Sequence, residues 1–597
     1  MKSSLRILLA ILVQSSCSLF AVQSATRPNI ILVITDDQGY GDLACHGNPV
    51  IKTPHLDKLY SESTVLTDYH VAPTCSPTRA ALLTGHWTNR TGVWHTIMGR
   101  SMIRDNEVTL GQHFAPHYTT AMFGKWHLGD NYPYRPEDRG FEEVYRHGGG
   151  GVGQTPDVWD NSYFDGGYFH NGQIETAKGF CTDVFFEKAH HFIKAQAGKK
   201  EPFLAYIATN APHGPLHCPQ KYLDLYPDQS PAIAAFFGMI SNIDDNIGRT
   251  RQLLADLGIS DNTLFIFTTD NGTASGEKVF NAGMRGKKGS EYDGGHRVPF
   301  FIHWPAAGLN NHRKIDKLTH AIDVVPTLME VCGIPNEAGV KFDGASQASI
   351  IDPYGSGIPA EDNRMIITDS QRVVDPIKWR KSAVMSSRFR LVNGTELYDI
   401  KADPSQKKNL AKENPEQVAK MRAFYEKWWA ELEPTFSQTT EIHLGHPDHP
   451  KVTMTAHDWL NTAPPWHQGS IRAARGGNKP KFSGHWAIKV IKEGRYRISL
   501  LRWPEEANHP INAPLAPGTE VPGASKAFRT TPGISLQATE AALVINGRTI
   551  ATQAVDQKAS AISFTTTLPA GSHQLAPVFL TPKGQTGAFY CIVETLP

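Results

Sequence analysis

The chain has 597 residues, with 59 lysines and arginines against 58 aspartates and glutamates. That length suits two or three domains and a large core. A net charge of +1 excludes a basic field for nucleic acid and an acidic tail, so attraction for an anionic substrate must come from a local cluster.

Residues 1–25 read as a secretory signal peptide. Lys2 and Arg6 precede the apolar run Ile7–Val13, and small residues precede a cleavage point after Ala25. The run is too short to span a bilayer, and no later segment is long and apolar enough. The mature protein is therefore expected in a periplasm or outside the cell, with no membrane span. Cys45, Cys75, Cys181, Cys218, Cys332 and Cys591 are scattered with no C-x-x-C spacing, which argues against a structural zinc site and leaves any pairing open.

Pro28–Thr35 is a continuous aliphatic run that reads as a strand buried on both faces. Further strands are expected at Tyr118–Phe123, Phe203–Ala208, Thr263–Thr269 and Val298–His303. A helix is expected over Phe236–Leu257, with Gly258 as its C-cap. Strands alternating with helices predict an α/β domain, residues 26–363, with a mostly parallel sheet. The Gly- and aromatic-rich stretch Gly148–Gly172 reads as a long loop insertion near a site opening. Residues 364–434 read as a small α+β subdomain, with strands in Ser382–Leu391 and Thr395–Tyr398 and a helix over Asn414–Glu433. Residues 435–469, carrying His443, His446, His449, His457 and His467, read as a linker, with histidines reaching the pocket mouth as the alternative. Residues 470–597 read as an appended all-β, sandwich-like module, in which Trp486–Val490 and Tyr496–Leu501 flank a turn and Asn546-Gly547 forms another.

Five clusters carry candidate chemistry. Asp36 and Asp37 follow the first strand, and Asp270-Asn271 follows Thr263–Thr269. Taken singly, Asp37 reads equally well as a helix cap and Asp270-Asn271 as a turn. Together they form a hard-oxygen set that suits calcium or magnesium rather than zinc. Lys125 and His127, in Gly124-Lys125-Trp126-His127-Leu128-Gly129, fall on one side of an extended segment. His213 lies in Asn210-Ala211-Pro212-His213, and Lys288 in the basic turn Arg285–Ser290. Cys75 opens the stretch Cys75-Ser76-Pro77-Thr78-Arg79, which runs on to Leu82-Leu83-Thr84-Gly85.

The Cys-x-Pro-x-Arg pattern with its Leu-Leu-Thr-Gly sequel, together with the other four clusters in order, resembles the formylglycine-dependent sulfatases over about residues 27–434. The resemblance implies an alkaline-phosphatase-like fold and conversion of Cys75 to 3-oxoalanine (formylglycine). The converting partner would be a formylglycine-generating enzyme or an anaerobic sulfatase-maturating enzyme. It implies Asp36, Asp37, Asp270, Asn271 and the modified Cys75 as ligands of Ca2+, with Mg2+ as the alternative. Arg79 would hold the nucleophile's alkoxide, Lys125 and Lys288 would bind sulfate oxygens, and His127 and His213 would move protons. Asp293 stands where the family often has Glu.

The expected substrate is a sulfated polysaccharide or oligosaccharide. Trp94, His95, Trp159 and the run Gln371-Arg372 to Lys378-Trp379-Arg380 are candidates for lining its pocket. Trp379 reads equally well as core. The alternatives are a phosphodiesterase or phosphonate hydrolase of the same superfamily, and a catalytically inactive glycan-binding protein that works through its β module.

Overall fold

The computed structural model describes residues 27–354, 363–460, 463–476 and 482–597, and the expected signal peptide lies outside them. No described helix is long and apolar enough to cross a membrane. The first ten strands are β1 (Asn29–Thr35), β2 (Thr64–His70), β3 (Thr119–Gly124), β4 (Glu143–Arg146), β5 (Gly167–His170), β6 (Gln173–Thr176), β7 (Phe203–Ala208), β8 (Thr263–Thr269), β9 (Phe300–His303) and β10 (Arg313–His320). They form one sheet in the order β10-β2-β9-β8-β1-β7-β3-β4-β5-β6. The central run from β8 to β4 is parallel. Strand β9 is antiparallel to both its neighbours, and β5 and β6 close one edge antiparallel. The sheet is therefore mixed, because antiparallel strands were added around a parallel centre.

Alternation along β1 divides the core. Ile30, Leu32 and Ile34 face a cluster shared with the helix Cys75–Thr84, while Ile31 and Val33 face the helices Cys181–Ala197 and Pro231–Asp256. The helix Cys75–Thr84 has all ten residues buried, so it is fixed on every side at the centre of the molecule. Gly258, just past the helix Pro231–Asp256, adopts the left-handed conformation expected of a helix terminator.

The small subdomain is a four-stranded antiparallel sheet, β11 (Ile366–Asp369), β12 (Ser382–Met385), β13 (Phe389–Val392) and β14 (Glu396–Asp399), covered by the helix Pro415–Leu432. Beyond it, residues 435–469 depart from the expected linker. They supply β15 (Ile442–Leu444) and β16 (Lys451–Thr455), each paired into one of two C-terminal sheets. Apolar residues at alternate positions, such as Ile442 and Leu444 or Val452 and Met454, give these short segments a buried face.

The remaining strands are β17 (Trp486–Val490), β18 (Gly494–Leu501), β19 (Glu540–Ile545), β20 (Arg548–Ala554), β21 (Ala561–Leu568), β22 (Gly571–Leu575), β23 (Val578–Thr581), β24 (Gly584–Gly587) and β25 (Tyr590–Thr595). One sheet holds β15, β17, β19, β20, β22, β23 and β24, and the other β16, β18, β21 and β25. Strands β17 and β18 do not make a hairpin; the chain crosses from one sheet to the other between them. Strands β19 and β20 do, through Asn546-Gly547 with both residues at positive φ. Buried residues of the two sheets belong to the same apolar cluster as one face of the ten-stranded sheet, so the C-terminal part is joined through a continuous core.

That joint is also polar. The segment 148–166 is largely buried rather than an open loop. Asp157 holds it by accepting from the backbone N–H groups of Gly148 (3.1 Å) and Gly153 (2.7 Å). From the C-terminal side, fully buried Gln468 donates through Nε2 to the carbonyls of Gln154 (3.2 Å), Asp157 (3.1 Å) and Val158 (3.0 Å), and its Oε1 accepts from Asp160 N–H (2.9 Å). Tyr590 donates to Thr155 O (3.1 Å), and Arg472 pairs with Asp160. Gln468→Ala strands buried backbone groups along this segment at about 1–3 kcal/mol each. We expect the variant to fold with amide hydrogen exchange across residues 150–160 markedly faster than in the wild type; unchanged exchange there would contradict a clamp.

Candidate active site

The carboxyl ends of β1, β8, β3 and β7 meet at the centre of the parallel run, where open α/β sheets place their ligands. In-register pairing of Thr35 with Thr269 brings Asp36, Asp37 and Asp270 together. Asp270 N–H donates to Thr35 O (3.0 Å), and Asp37 N–H donates to Asp270 Oδ1 (3.1 Å). Asp37 sits at φ 72°, a left-handed conformation uncommon outside glycine that turns the chain so both consecutive carboxylates face the site.

Each carboxylate has a cationic partner. Lys125 Nζ lies 2.7 Å from Asp36, Arg79 Nη2 lies 2.8 Å from Asp270, and Lys288 Nζ lies 2.5 Å from Asp37. Lys125 follows β3 through Gly124, whose φ of 107° and close approach to Ala208 O (2.0 Å from a Cβ placed there) exclude any side chain. Arg79 also donates through Nε to Asp270 (3.1 Å) and through Nη1 to Lys125 O (2.8 Å). All three of its nitrogens therefore orient the residues around the nucleophile position.

Cys75 is the first residue of its helix, where the positive end of the helix dipole favours an anionic atom. Its Sγ lies 3.5 Å from His127 Nδ1. His127 Nε2 lies 2.8 Å from Thr96 O, and since a carbonyl only accepts, Nε2 carries the proton and Nδ1 presents its lone pair to Cys75. Burial first, then Lys125 and His457, hold this imidazole far below its ordinary pKa, so it is neutral. His127 does not reach Cys75 along an extended segment. It sits at φ 63°, held by Ser76 Oγ donating to its carbonyl (2.8 Å) and packed against Gly150, where a Cβ would stand 2.1 Å from the ring.

His213 Nδ1 donates to Gly214 O (2.6 Å), which turns bare Nε2 toward Asp37 Oδ2 at 4.0 Å. Burial and Lys288 lower its pKa to about 3, with Asp37 acting in the other direction. The Tyr163 hydroxyl donates to the carbonyl of His213 (2.5 Å) and holds the loop.

The donor set fits a hard divalent cation. Candidate ligand atoms of Asp36, Cys75 and Asp270 lie within 4.8 Å of one another, as do those of Asp36, Asp37 and His213. Asn271 Nδ2 donates to Asp37 Oδ1 (2.9 Å), leaving Asn271 Oδ1 buried without a partner, and Asp36 Oδ1 is likewise buried and unmet. Burial raises Asp36, with Lys125 offsetting only part of the effect. Burial, with Asp36 nearby, pushes Asp270 up to about 6. Two orphaned oxygens and two carboxylates short of positive charge are what an oxygen-coordinated ion would satisfy.

The structure thus gathers Asp36, Asp37, Cys75, Arg79, Lys125, His127, His213, Asp270, Asn271 and Lys288 in one place. Asp293 lies outside it. Buried Asp293 accepts from Arg390 Nε (3.1 Å), tying the subdomain to the main sheet. Of the pocket candidates, Trp94 is buried and donates to Val373 O and Val374 O, and Trp159 packs edge-on to Trp503 in the C-terminal domain. Trp379 stacks on Tyr425 at 3.6 Å between ring centroids, so it belongs to the subdomain core. Residues not singled out in the sequence also shape the site: the Thr96 carbonyl, Ser76, Gly150 and Tyr163. Backbone groups and glycines leave no compositional signal. Of the histidines before the β module, buried His457 comes near the site, its ring 6.1 Å from that of His127.

Comparison with known proteins agrees with this geometry. A family model described as Sulfatase matches residues 28–334. The chain is 31% identical over 361 residues to N-acetylgalactosamine-6-sulfatase of Rattus norvegicus, covering 56% of this chain and 67% of that protein. It is 30% identical over 350 residues to arylsulfatase A of Homo sapiens, covering 54% and 67% respectively. Among solved structures, Ps i-CgsB in complex with k-i-k-neocarrahexaose superposes with a TM-score of 0.61 at 28% identity, covering 68% of this chain and 93% of that one. The matched family region contains every residue of the charged cluster, and the chain belongs to the sulfatase family of the alkaline phosphatase superfamily as a sulfuric ester hydrolase.

Proposed function

We propose that this protein hydrolyses sulfate monoesters on sulfated polysaccharide or oligosaccharide, using formylglycine made from Cys75 and a bound calcium ion. The observation that carries the reading is the placement of Cys75 Sγ, which lies 3.5 Å from a neutral, lone-pair-bearing His127 Nδ1 and clusters with the Asp36 and Asp270 carboxylates. A secreted or periplasmic location fits the signal peptide expected at residues 1–25. Maturation would require a formylglycine-generating or anaerobic sulfatase-maturating enzyme, which would supply the two-electron oxidant that turns the CH2–SH of Cys75 into CHO with loss of its sulfur. The likeness to a structure bound to a neocarrahexaose supports a glycan substrate.

A sulfate monoester is an anion that repels nucleophiles. Lys125 and Lys288 border the site and offset that charge, while Arg79 fixes Asp270 and the Lys125 backbone so that they do not relax when substrate arrives. Asp36, Asp37, Asp270 and Asn271 would hold calcium, which when bound supplies Lewis-acid stabilisation of oxygen charge. A hydrated aldehyde at position 75 offers two hydroxyls on one carbon, one to attack sulfur and one whose deprotonation releases sulfate. His127 Nδ1 is placed to take that second proton, because its other nitrogen is already committed to Thr96 O. His213 Nε2, on the opposite side near Asp37 and Lys288, is placed to carry a proton to the leaving alcohol.

Peptide mass across Cys75, measured on protein from its own host, should show the aldehyde or its hydrate. Cys75→Ser retains one hydroxyl but cannot collapse to an aldehyde, so it should release one equivalent of alcohol and then stop. Its steady-state kcat should fall by at least about 10³-fold. A native thiol with full activity, or steady turnover by the serine variant, would sink the mechanism. Chelation of the matured enzyme with EDTA should lower kcat/KM by roughly 10²-fold or more and lower Tm, since three buried carboxylates lose their common counterion. Calcium should restore both better than magnesium; indifference to chelator would remove the metal from the scheme.

A further inference from the structure

The sequence offers a run of donors near the site, Arg372 to Arg380, and the structure separates them. Lys378 pairs with Glu426, Trp379 stacks in the subdomain core, and Arg380 Nε donates to Gln371 O (2.8 Å). Arg372 is different. It is exposed, and among the described residues its guanidinium has no carboxylate or carbonyl partner. Its backbone is nonetheless fixed at φ 47°, with its N–H donating to Trp94 O (3.1 Å) beside His95. Its Nη1 lies 3.8 Å from where a Cβ on Gly289 would stand. Gly289 follows Lys288, and its N–H donates to Pro73 O (2.7 Å), two residues before Cys75. The unpaired guanidinium therefore stands at the rim of the sulfate site, on the Lys288 side.

His95 adds a second donor. Its Nδ1 accepts from the backbone N–H groups of Thr96 (2.7 Å) and Ile97 (3.2 Å), which leaves the proton on Nε2. Burial first, and then Arg372 and His457, lower its pKa to about 3, so the ring is a neutral donor. A bare guanidinium on a fixed backbone, with a fixed N–H nearby, is a recognition surface for a planar or tetrahedral anionic group.

We propose that Arg372, with His95 Nε2–H, forms a subsite that reads a second anionic group on the sugar, a uronate carboxylate or another sulfate, while the scissile sulfate sits against Lys125 and Lys288. This rests on the sulfatase reading and adds to it a substrate class: glycans carrying two negative groups within reach of each other. The observed Lys378 and Trp379 contacts leave Arg372 as the residue of that run available for the task.

The test uses the full-length, matured enzyme and pairs of sulfated oligosaccharides that differ only in the second group. One pair carries a uronate against its carboxyl-reduced form, and another a disulfated against a monosulfated disaccharide. The wild type should favour the doubly anionic member in kcat/KM, and Arg372→Ala should reduce that ratio by about 10-fold or more, the worth of one charge-assisted contact. Arg372→Lys should restore only part of it. Lys378→Ala, whose ammonium pairs with Glu426 instead, should leave the ratio as in the wild type. Where neither member of a pair is turned over, their inhibition constants against 4-nitrophenyl sulfate hydrolysis give the same ratio. Equal ratios in wild type and Arg372→Ala overturn the subsite. Absence of any sulfate ester hydrolysis by the wild type is a separate result; it overturns the underlying reading, and the subsite with it.

Discussion

Three carboxylates and three cations, buried together at the ends of four adjacent strands, are the constraint around which the rest of this molecule is built. Asp36, Asp37 and Asp270 pair one to one with Lys125, Lys288 and Arg79. Buried charges are tolerated only when paired and hydrogen-bonded, and removing one partner of such a set is far more costly than the pair is worth. The pairing here is also incomplete, since Asp36 Oδ1 and Asn271 Oδ1 remain unmet. On the proposed reading, a dication added to these paired charges would leave a surplus of positive charge that a sulfate monoester would relieve, so cation and anionic substrate would stabilise one another across groups already in place.

Much of this was legible in the sequence because strand ends are legible. The runs Pro28–Thr35 and Thr263–Thr269 are uninterrupted and apolar, and the acids directly after them could only fall at the strand ends. What the sequence hid is conformational. Lys125 and His127 were expected to share a face of an extended segment, yet His127 reaches Cys75 through a left-handed backbone held by Ser76 and Gly150. Asp37 likewise turns inward at positive φ, and no side-chain pattern announces that in a non-glycine residue. Strands β17 and β18 look like a hairpin because both alternate around a short polar turn, but alternation reports only that each has one buried face. It does not report which sheet supplies the partner. Strands β15 and β16 escaped because three and five residues are too few for a period to show against a His- and Pro-rich background.

The C-terminal sheets are more than an attachment. Gln468 saturates its amide on the segment 154–160, and a few residues earlier in that segment Gly150 closes over His127 and Gly151 approaches His213. His457, from the stretch read as a linker, packs near His127 and contributes to keeping it neutral. A mobile binding module would leave the catalytic centre complete in its absence. Here the inner wall of the centre is pinned from outside the α/β domain, so the seating of His127 and His213 depends on the C-terminal sheets.

On the proposed mechanism, the two histidines would divide the proton work by how each is wired, not by their intrinsic basicity. Both are neutral at rest, for burial and neighbouring cations lower each of them. His127 is locked as an Nε2–H tautomer by a carbonyl, which makes its Nδ1 a permanent acceptor facing position 75. His213 is locked the other way, with Nδ1 on Gly214 O and Nε2 bare toward Asp37 and Lys288. To donate to a leaving alcohol it must first gain a proton, and the second cause holding it neutral is the charge of Lys288. On the proposed mechanism, a sulfate group drawn to Lys288 would offset that charge and favour protonation of His213, while His127, its Nε2–H committed to Thr96 O, would remain an acceptor at Nδ1.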